Sequence, residues 1–266
     1  MSERKHDMEI EIAATPAEVW QALSTAEGFA SWFAPLARVE PGVGGTVSVA
    51  WVPGMEGSER IEAWEPEAHL RLAHDRAPDA PPSVVDYFLE GHAGTTVLRM
   101  VHSGFTADAS FDNEFEATRG AWPAFLQLLK HSVERGIAAC RNVTVFRMPS
   151  IPRDAAWAKL MGPQGLCAEG TLEGRSAGDS YRLVTADGEV LEGAIKYLDP
   201  AGYACLQSGD AVLGMFCEKC GGSTMLTLMW LLYDVSAGDA AAVDKRWSAL
   251  LDGIFGQAAA AAPIET

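Results

Sequence analysis

The spacing of apolar and polar residues along this chain switches repeatedly between period two and a helical period. Residues 8–12 alternate apolar with acidic side chains, which predicts a half-buried strand. Thr15-Pro16-Ala17-Glu18 then reads as a helix start. Thr15 can cap, Pro16 suits the first helical position, and Glu18 can reach back to complete a capping box. Val19, Trp20 and Leu23 follow at helical spacing, with Trp20 expected to face the core. Past Gly28, the trio Phe29, Trp32 and Phe33 predicts a second short helix ended by Pro35. From residue 37 to 105 the pattern becomes strands and turns. Strands are expected at residues 46–52, 60–64, 69–74, 84–90 and 95–102, with a loop at 79–82. The last two strands are joined by Gly91-His92-Ala93-Gly94 as a hairpin, and together the strands predict an antiparallel meander. From residue 112 to about 138 the period is helical again, with Phe115, Thr118, Trp122, Phe125, Leu126, Leu129 and Val133 in one stripe. Pro123 predicts either a kink or a regular helix that starts near Trp122.

The second half repeats this order in degraded form. A strand is expected at residues 142–148 and a helix at 152–160, where Trp157 and Leu160 are spaced as Trp20 and Leu23 are. Strand-like segments follow at 165–172, 181–184, 190–198, 203–207, 211–217 and 224–233, with Asp187-Gly188 as a hairpin turn. In the closing helix, at about 240–255, Trp247, Leu250, Leu251 and Ile254 keep the offsets of Trp122, Phe125, Leu126 and Leu129. The pattern is that of an internal duplication. It predicts domains at 1–139 and 140–257, with a flexible tail at 258–266.

A length of 266 residues accommodates two such domains. Lys plus Arg is 20 and Asp plus Glu is 36, for a net charge of −16. Both halves share the excess: residues 1–139 carry 10 basic and 21 acidic side chains, and residues 140–266 carry 10 and 15. Such a surface repels phosphate backbones and anionic bilayers, so neither nucleic acid nor membrane is expected as a partner. The N-terminal segment is polar and the longest apolar run, residues 225–233, is too short to span a bilayer. With five cysteines, an odd number, these features point to a reduced, cytoplasmic setting.

The segments Thr15-Pro16-Ala17-Glu18-Val19-Trp20-Gln21-Ala22-Leu23 and Trp32-Phe33-Ala34-Pro35 stand near one end of residues 8–136. The Glu65-Pro66 turn, His102-Ser103-Gly104-Phe105 and Ala121-Trp122-Pro123-Ala124-Phe125-Leu126-Gln127-Leu128-Leu129-Lys130 follow in order. In these motifs the first half resembles the START-like (SRPBCC) superfamily, within it the group related to the activator of the heat-shock-protein-90 ATPase. The second half resembles a diverged copy that lacks counterparts of the Trp32-Phe33-Ala34-Pro35 and His102-Ser103-Gly104-Phe105 motifs. The resemblance implies an α+β architecture of tandem helix-grip (Bet v 1-like) domains. Each has a curved antiparallel sheet around a long C-terminal helix, with a cavity between them. Members bind lipids, hormones, polyketides or other apolar molecules, and a minority are cyclases, dehydratases or hydrolases. The eukaryotic namesake stimulates a chaperone ATPase.

The candidate ligand-binding set is Trp32, Phe33, Trp51, Tyr87, His102, Trp122, Phe125, Leu126 and Leu129. Several of these belong to the elements that form the cavity mouth and floor in this fold. The competing reading is that the aromatics only fill a core, and that His102 is a structural histidine bonded at a strand end. Glu62, Asp86 and Glu90 alternate with apolar residues and are expected as solvated outer-face charges. Cys217 and Cys220 form a Cys-x-x-Cys pair at a predicted turn. They are read as reduced turn cysteines, because a zinc site would need Cys167 and Cys205 brought to them. His69 and His74 fall on opposite strand faces. No nucleophile elbow, phosphate loop or dinucleotide fingerprint occurs, so no catalytic residue, metal or cofactor is assigned. The expectation is a non-catalytic, cytoplasmic binder of a small apolar ligand, lipid- or polyketide-like. The alternatives are a cyclase-, dehydratase- or hydrolase-type enzyme using the same cavity, and an interaction module for a chaperone or regulator.

Overall fold

A computed structural model describes residues 4–52, 55–76, 80–220 and 223–256. The proposed tail at 258–266 lies outside the described residues. The first sheet is seven-stranded and antiparallel, in the order β1-β7-β6-β5-β4-β3-β2. Its strands are β1 (Arg4–Ile12), β2 (Leu36–Val39), β3 (Thr46–Val52), β4 (Met55–Glu65), β5 (His69–His74), β6 (Ser83–His92) and β7 (Thr95–Phe105). Helices α1 (Pro16–Ser24) and α2 (Ala26–Ala30) lie between β1 and β2 in sequence, and the long α3 (Asp112–Arg135) follows β7. The second sheet is six-stranded and antiparallel, in the order β8-β13-β12-β11-β10-β9. It comprises β8 (Cys140–Arg147), β9 (Ser180–Val184), β10 (Val190–Asp199), β11 (Tyr203–Ser208), β12 (Ala211–Cys220) and β13 (Ser223–Tyr233). Helix α4 (Arg153–Leu160) follows β8 and α5 (Ala237–Phe255) closes the unit. The architecture is α+β and helix-grip in both halves, as the sequence predicts.

The chain divides into two compact units. Residues 4–119 and 129–139 form the first; residues 120–128 and 140–256 form the second. The middle of α3 thus groups with the second sheet rather than the first.

Local sequence accounts for the first unit's entry helices. The Thr15 hydroxyl accepts from the Glu18 amide and the Glu18 carboxylate accepts from the Thr15 amide, so the capping box is complete. Thr15→Ala is expected to cost about 1 kcal/mol in chemical unfolding, as an N-cap removal does. Helix α2 is capped by Thr25, which accepts from the Gly28 amide at 2.9 Å. It ends before the aromatic pair, so Trp32 and Phe33 stand in the following turn and not on the helix. The register β1–β7 and β7–β6 sets Met8 opposite Met100 and Met100 opposite Tyr87. Gly104 is in the left-handed region with φ +91°, and a Cβ there would collide with the Pro82 carbonyl oxygen. That requirement explains the glycine of the His102-Ser103-Gly104-Phe105 motif.

Helix α3 runs unbroken through Pro123. In the second unit Val143, Val145, Leu213, Met215 and Trp230 pack with Trp247, Leu250 and Leu251 of α5. The apolar run 225–233 is β13, almost entirely buried, as a strand covered on both faces must be. Within this unit Phe125 stacks on Phe216 at 4.3 Å between ring centroids. Gly120 leaves room for the Tyr203 ring, which any Cβ would strike.

One expected strand is not formed. Residues 165–172 are a turn-rich segment, tied to the sheet among the described residues only by the bridge Glu169–Val184. Gly170, at φ +83° and packed against the Arg182 carbonyl, sits where extended pairing would continue.

Candidate functional site

The inner face of the first sheet follows from its register. Val47 pairs with Glu59, Ile61 with Leu72, Leu70 with Tyr87, and Leu98 with Leu89. Side chains two residues apart share a face, so Glu59 lies on the same side as Ile61, Val47 and Val49. Those three neighbours are buried. Burial pushes the Glu59 carboxyl above its usual value, against an opposing pull from His74. The Glu59 carboxyl makes no hydrogen bond among the described residues. Tyr87 is buried on this face, and desolvation together with Glu59 raises its phenol well above the usual range. An apolar wall with an unbonded carboxyl and a phenol can hold a molecule that is largely apolar and carries a polar atom.

At the other end of the same face, His102 is hydrogen-bonded to the Ser83 hydroxyl at 2.7 Å. Burial, with His6 and Arg76 nearby, drives its imidazole down to about 3. It is therefore neutral across the physiological range. His6 bonds to the Thr118 hydroxyl at 3.0 Å and stacks on Phe115 at 4.2 Å, so this corner is closed by its own partners.

The remaining expected residues fall into three groups. Trp32, Phe33 and Trp51 are brought together: the ring centroids of Trp32–Phe33 and of Phe33–Trp51 are each 5.1 Å apart. Trp32 donates to the Ala22 carbonyl at 3.0 Å, and Trp51 donates to the Phe33 carbonyl at 2.9 Å. Leu129 is fully buried and belongs to the first unit with Ser132, whose hydroxyl donates to Ser31 at 2.6 Å. Trp122, Phe125 and Leu126 lie in the segment of α3 that groups with the second unit.

Glu59 is the functional candidate that the sequence analysis did not single out. Glu59 has the parity of Ile61, but it lies one residue before the strand expected at 60–64, whereas β4 already begins at Met55. Asp86, expected as solvated, is on the outer face but buried. It bonds to His69 at 2.7 Å and to Arg71 at 3.3 Å, and His69 stacks on Phe88 at 4.4 Å. Trp20, expected in the core, is half-buried and sits edge-on to Trp64 at 5.1 Å. Cys217 and Cys205 are on opposite faces of the second sheet. Cys217 packs in the α5-side core, whereas Cys205 pairs with Gly214, one strand position out of phase. That parity rules out a four-cysteine site including both. The side chain of Cys220 lies outside the described residues. No helix is long and apolar enough to cross a membrane among the described residues.

Residues 13–134 match the family described as "Activator of Hsp90 ATPase homolog 1-like protein". Among curated proteins, none matches the sequence. Among solved structures, protein MLL2253 from Mesorhizobium loti is 25% identical, covering 50% of this chain and 98% of its own, with a TM-score of 0.43. The Aha1 dimer from Colwellia psychrerythraea is 23% identical over 49% of this chain and 96% of its own, with a TM-score of 0.41. The di-domain ARO/CYC BexL of the BE-7585A biosynthetic pathway is 15% identical over 98% of this chain and 100% of its own, with a TM-score of 0.44. The family match begins just after β1 and runs through α1, α2, the strands β2 to β7 and nearly all of α3, and the second unit runs through strand, short helix, antiparallel sheet and long helix again. Residues 13–134 of this chain are thus similar to the Activator of Hsp90 ATPase homolog 1-like family.

Proposed function

We propose that the first unit binds a small apolar molecule, lipid- or polyketide-like, against the inner face of its sheet, and performs no reaction on it. The observation that carries this reading is Glu59, a carboxyl with no hydrogen bond among the described residues, set into a wall of Val47, Val49, Ile61 and Leu72. A hydroxyl or amide on the ligand would satisfy it, and the wall would select by shape and apolar area. The neutral, Ser83-bonded His102 supports a non-catalytic role, since it supplies no proton relay near neutral pH. The thiols of Cys167, Cys205 and Cys217 form no disulfide, which supports a reducing, cytoplasmic setting.

One observation favours a second reading, an enzyme of the cyclase or hydrolase type. Desolvation raises the affinity of Glu59 for a proton, which is what a general base working near neutral pH needs.

Calorimetric titration with matched probes separates the outcomes. 1-Naphthol and decanol are expected to bind at least about tenfold more tightly than naphthalene and decane, the worth of one hydrogen bond to a charged or desolvated group. Glu59→Leu is expected to erase that preference while apolar binding remains. Equal affinity for all four probes in the parent protein would contradict the assignment of Glu59. A chemical change in a bound hydroxyl probe, lost in Glu59→Leu, would favour the enzyme. No binding at all would move the weight to a protein partner.

A further inference from the structure

The second unit holds a cleft of its own. It has a volume of about 440 Å3, within the range of small-ligand sites, and lies beside α4. Its apolar lining comes from Trp157, Met161, Leu172, Leu198 and Pro200, together with the Cys167 thiol. Burial pushes that thiol up, so it is a neutral part of the wall at physiological pH. In the first unit the helix after β1 is followed by α2 and the Trp32-Phe33 plug. In the second, α4 is followed by the turn-rich segment 161–179, and the cleft opens there. The segment is fixed in place: the Leu166 amide donates to Leu160 at 2.7 Å and the Ala186 amide donates to Gly165 at 2.8 Å.

The rim of the cleft carries three donors. Arg175 is exposed and gives one hydrogen bond to the Ser180 carbonyl at 2.9 Å, but it has no carboxylate partner among the described residues. An unpaired guanidinium is notable in a chain with a net charge of −16. The Thr171 hydroxyl accepts from the Glu173 amide at 3.0 Å, which leaves its own proton to give. The Trp157 indole N–H has no acceptor among the described residues. Glu173 stands on the same rim and is not paired with Arg175. Its negative charge leaves room for one anionic charge but opposes a dianion.

We infer that this cleft is a second binding site, for a small apolar carboxylate whose ring or chain lies between Trp157 and Leu198 and whose carboxylate is held by Arg175. It is separate from the proposed first-unit site and does not rest on it.

The test uses the full chain with 5-fluorotryptophan incorporated and 19F NMR, in which the eight tryptophans report separately. Trp157 is assigned from Trp157→Phe. Titration with 2-naphthoate is expected to shift the Trp157 resonance. The uncharged 2-naphthylmethanol and the dianionic 1-naphthyl phosphate are each expected to bind at least about fivefold more weakly, given the worth of a charge-assisted hydrogen bond at a partly exposed site. Arg175→Gln, an exposed change, is expected to remove the advantage of naphthoate over naphthylmethanol. No shift at Trp157 would overturn the inference, as would equal affinity for the acid and the alcohol. Shifts confined to Trp32 and Trp51 would place the acid in the first unit, overturning this inference and leaving the first-unit reading standing.

Discussion

Trp32→Ala is expected to destabilise the first unit by about 3–5 kcal/mol, the usual cost of deleting a buried large aromatic side chain. Trp32 is fully buried, 5.9 Å from Phe29 and 5.1 Å from Phe33 between ring centroids. Its loss opens a cavity at the junction of α1, α2 and the sheet. It also removes the indole donor from the Ala22 carbonyl, one of the last four of α1, which has no acceptor role inside the helix. Trp32→Phe separates the two contributions. It keeps most of the apolar volume and is expected to cost about 1–2 kcal/mol, the hydrogen bond plus a small void. Leu36→Ala, at a residue 65% exposed, is the control and is expected to change nothing measurable. Because the chain has two units, the loss is best read from hydrogen exchange in peptides of β1 through β7. A change below 1 kcal/mol there would mean that the Trp32-Phe33 turn is not part of the first core.

The second large effect is in the other unit and depends on pH. Glu218 on β12 is half-buried, and desolvation pushes its carboxyl up from 4.5 to about 7. Between those values the folded unit keeps a proton that the unfolded chain has released. Stability therefore falls as pH rises from about 4.5 to about 7, and the loss is complete above that. A full difference of that size corresponds to about 3 kcal/mol. Partial exposure reduces it, so about 1–3 kcal/mol is expected. Glu218→Gln should remove the slope: the variant is more stable than the parent at pH 8 and close to it at pH 4.5. Urea midpoints measured across that range give the comparison, and parallel profiles for the two proteins would contradict the half-buried, proton-holding state of Glu218.

The sequence made the elements legible where local chemistry fixes them. Thr15, Pro16 and Glu18 state a helix start in four residues, and the structure completes the box. Alternation around Leu98 and Met100 gave β7 with the correct inward face. What it did not show depends on partners distant in sequence. Nothing near Gly120 or Phe125 says that this stretch of α3 groups with Tyr203 and Phe216, because the same apolar stripe would suit either sheet. Residues 165–172 alternate well enough for a strand, yet Gly170 adopts a left-handed conformation that only the assembled loop reveals. Glu59 was missed for a related reason. A carboxylate on an apolar parity looks like an edge of the strand until the pairing Val47–Glu59 and the closeness of Tyr87 are known. Asp86 shows the reverse: its outward parity is legible, but its burial depends on His69 and Arg71 from the next strand.

The central claim, that the first unit holds a small apolar molecule, is tested most directly by native mass spectrometry of the freshly purified 266-residue chain, with denaturing extraction of whatever remains bound. The account predicts one discrete apolar molecule per chain, weakened by Glu59→Leu and retained in Arg175→Gln. A clean unliganded mass, unmoved by incubation with naphthol or decanol, would contradict it.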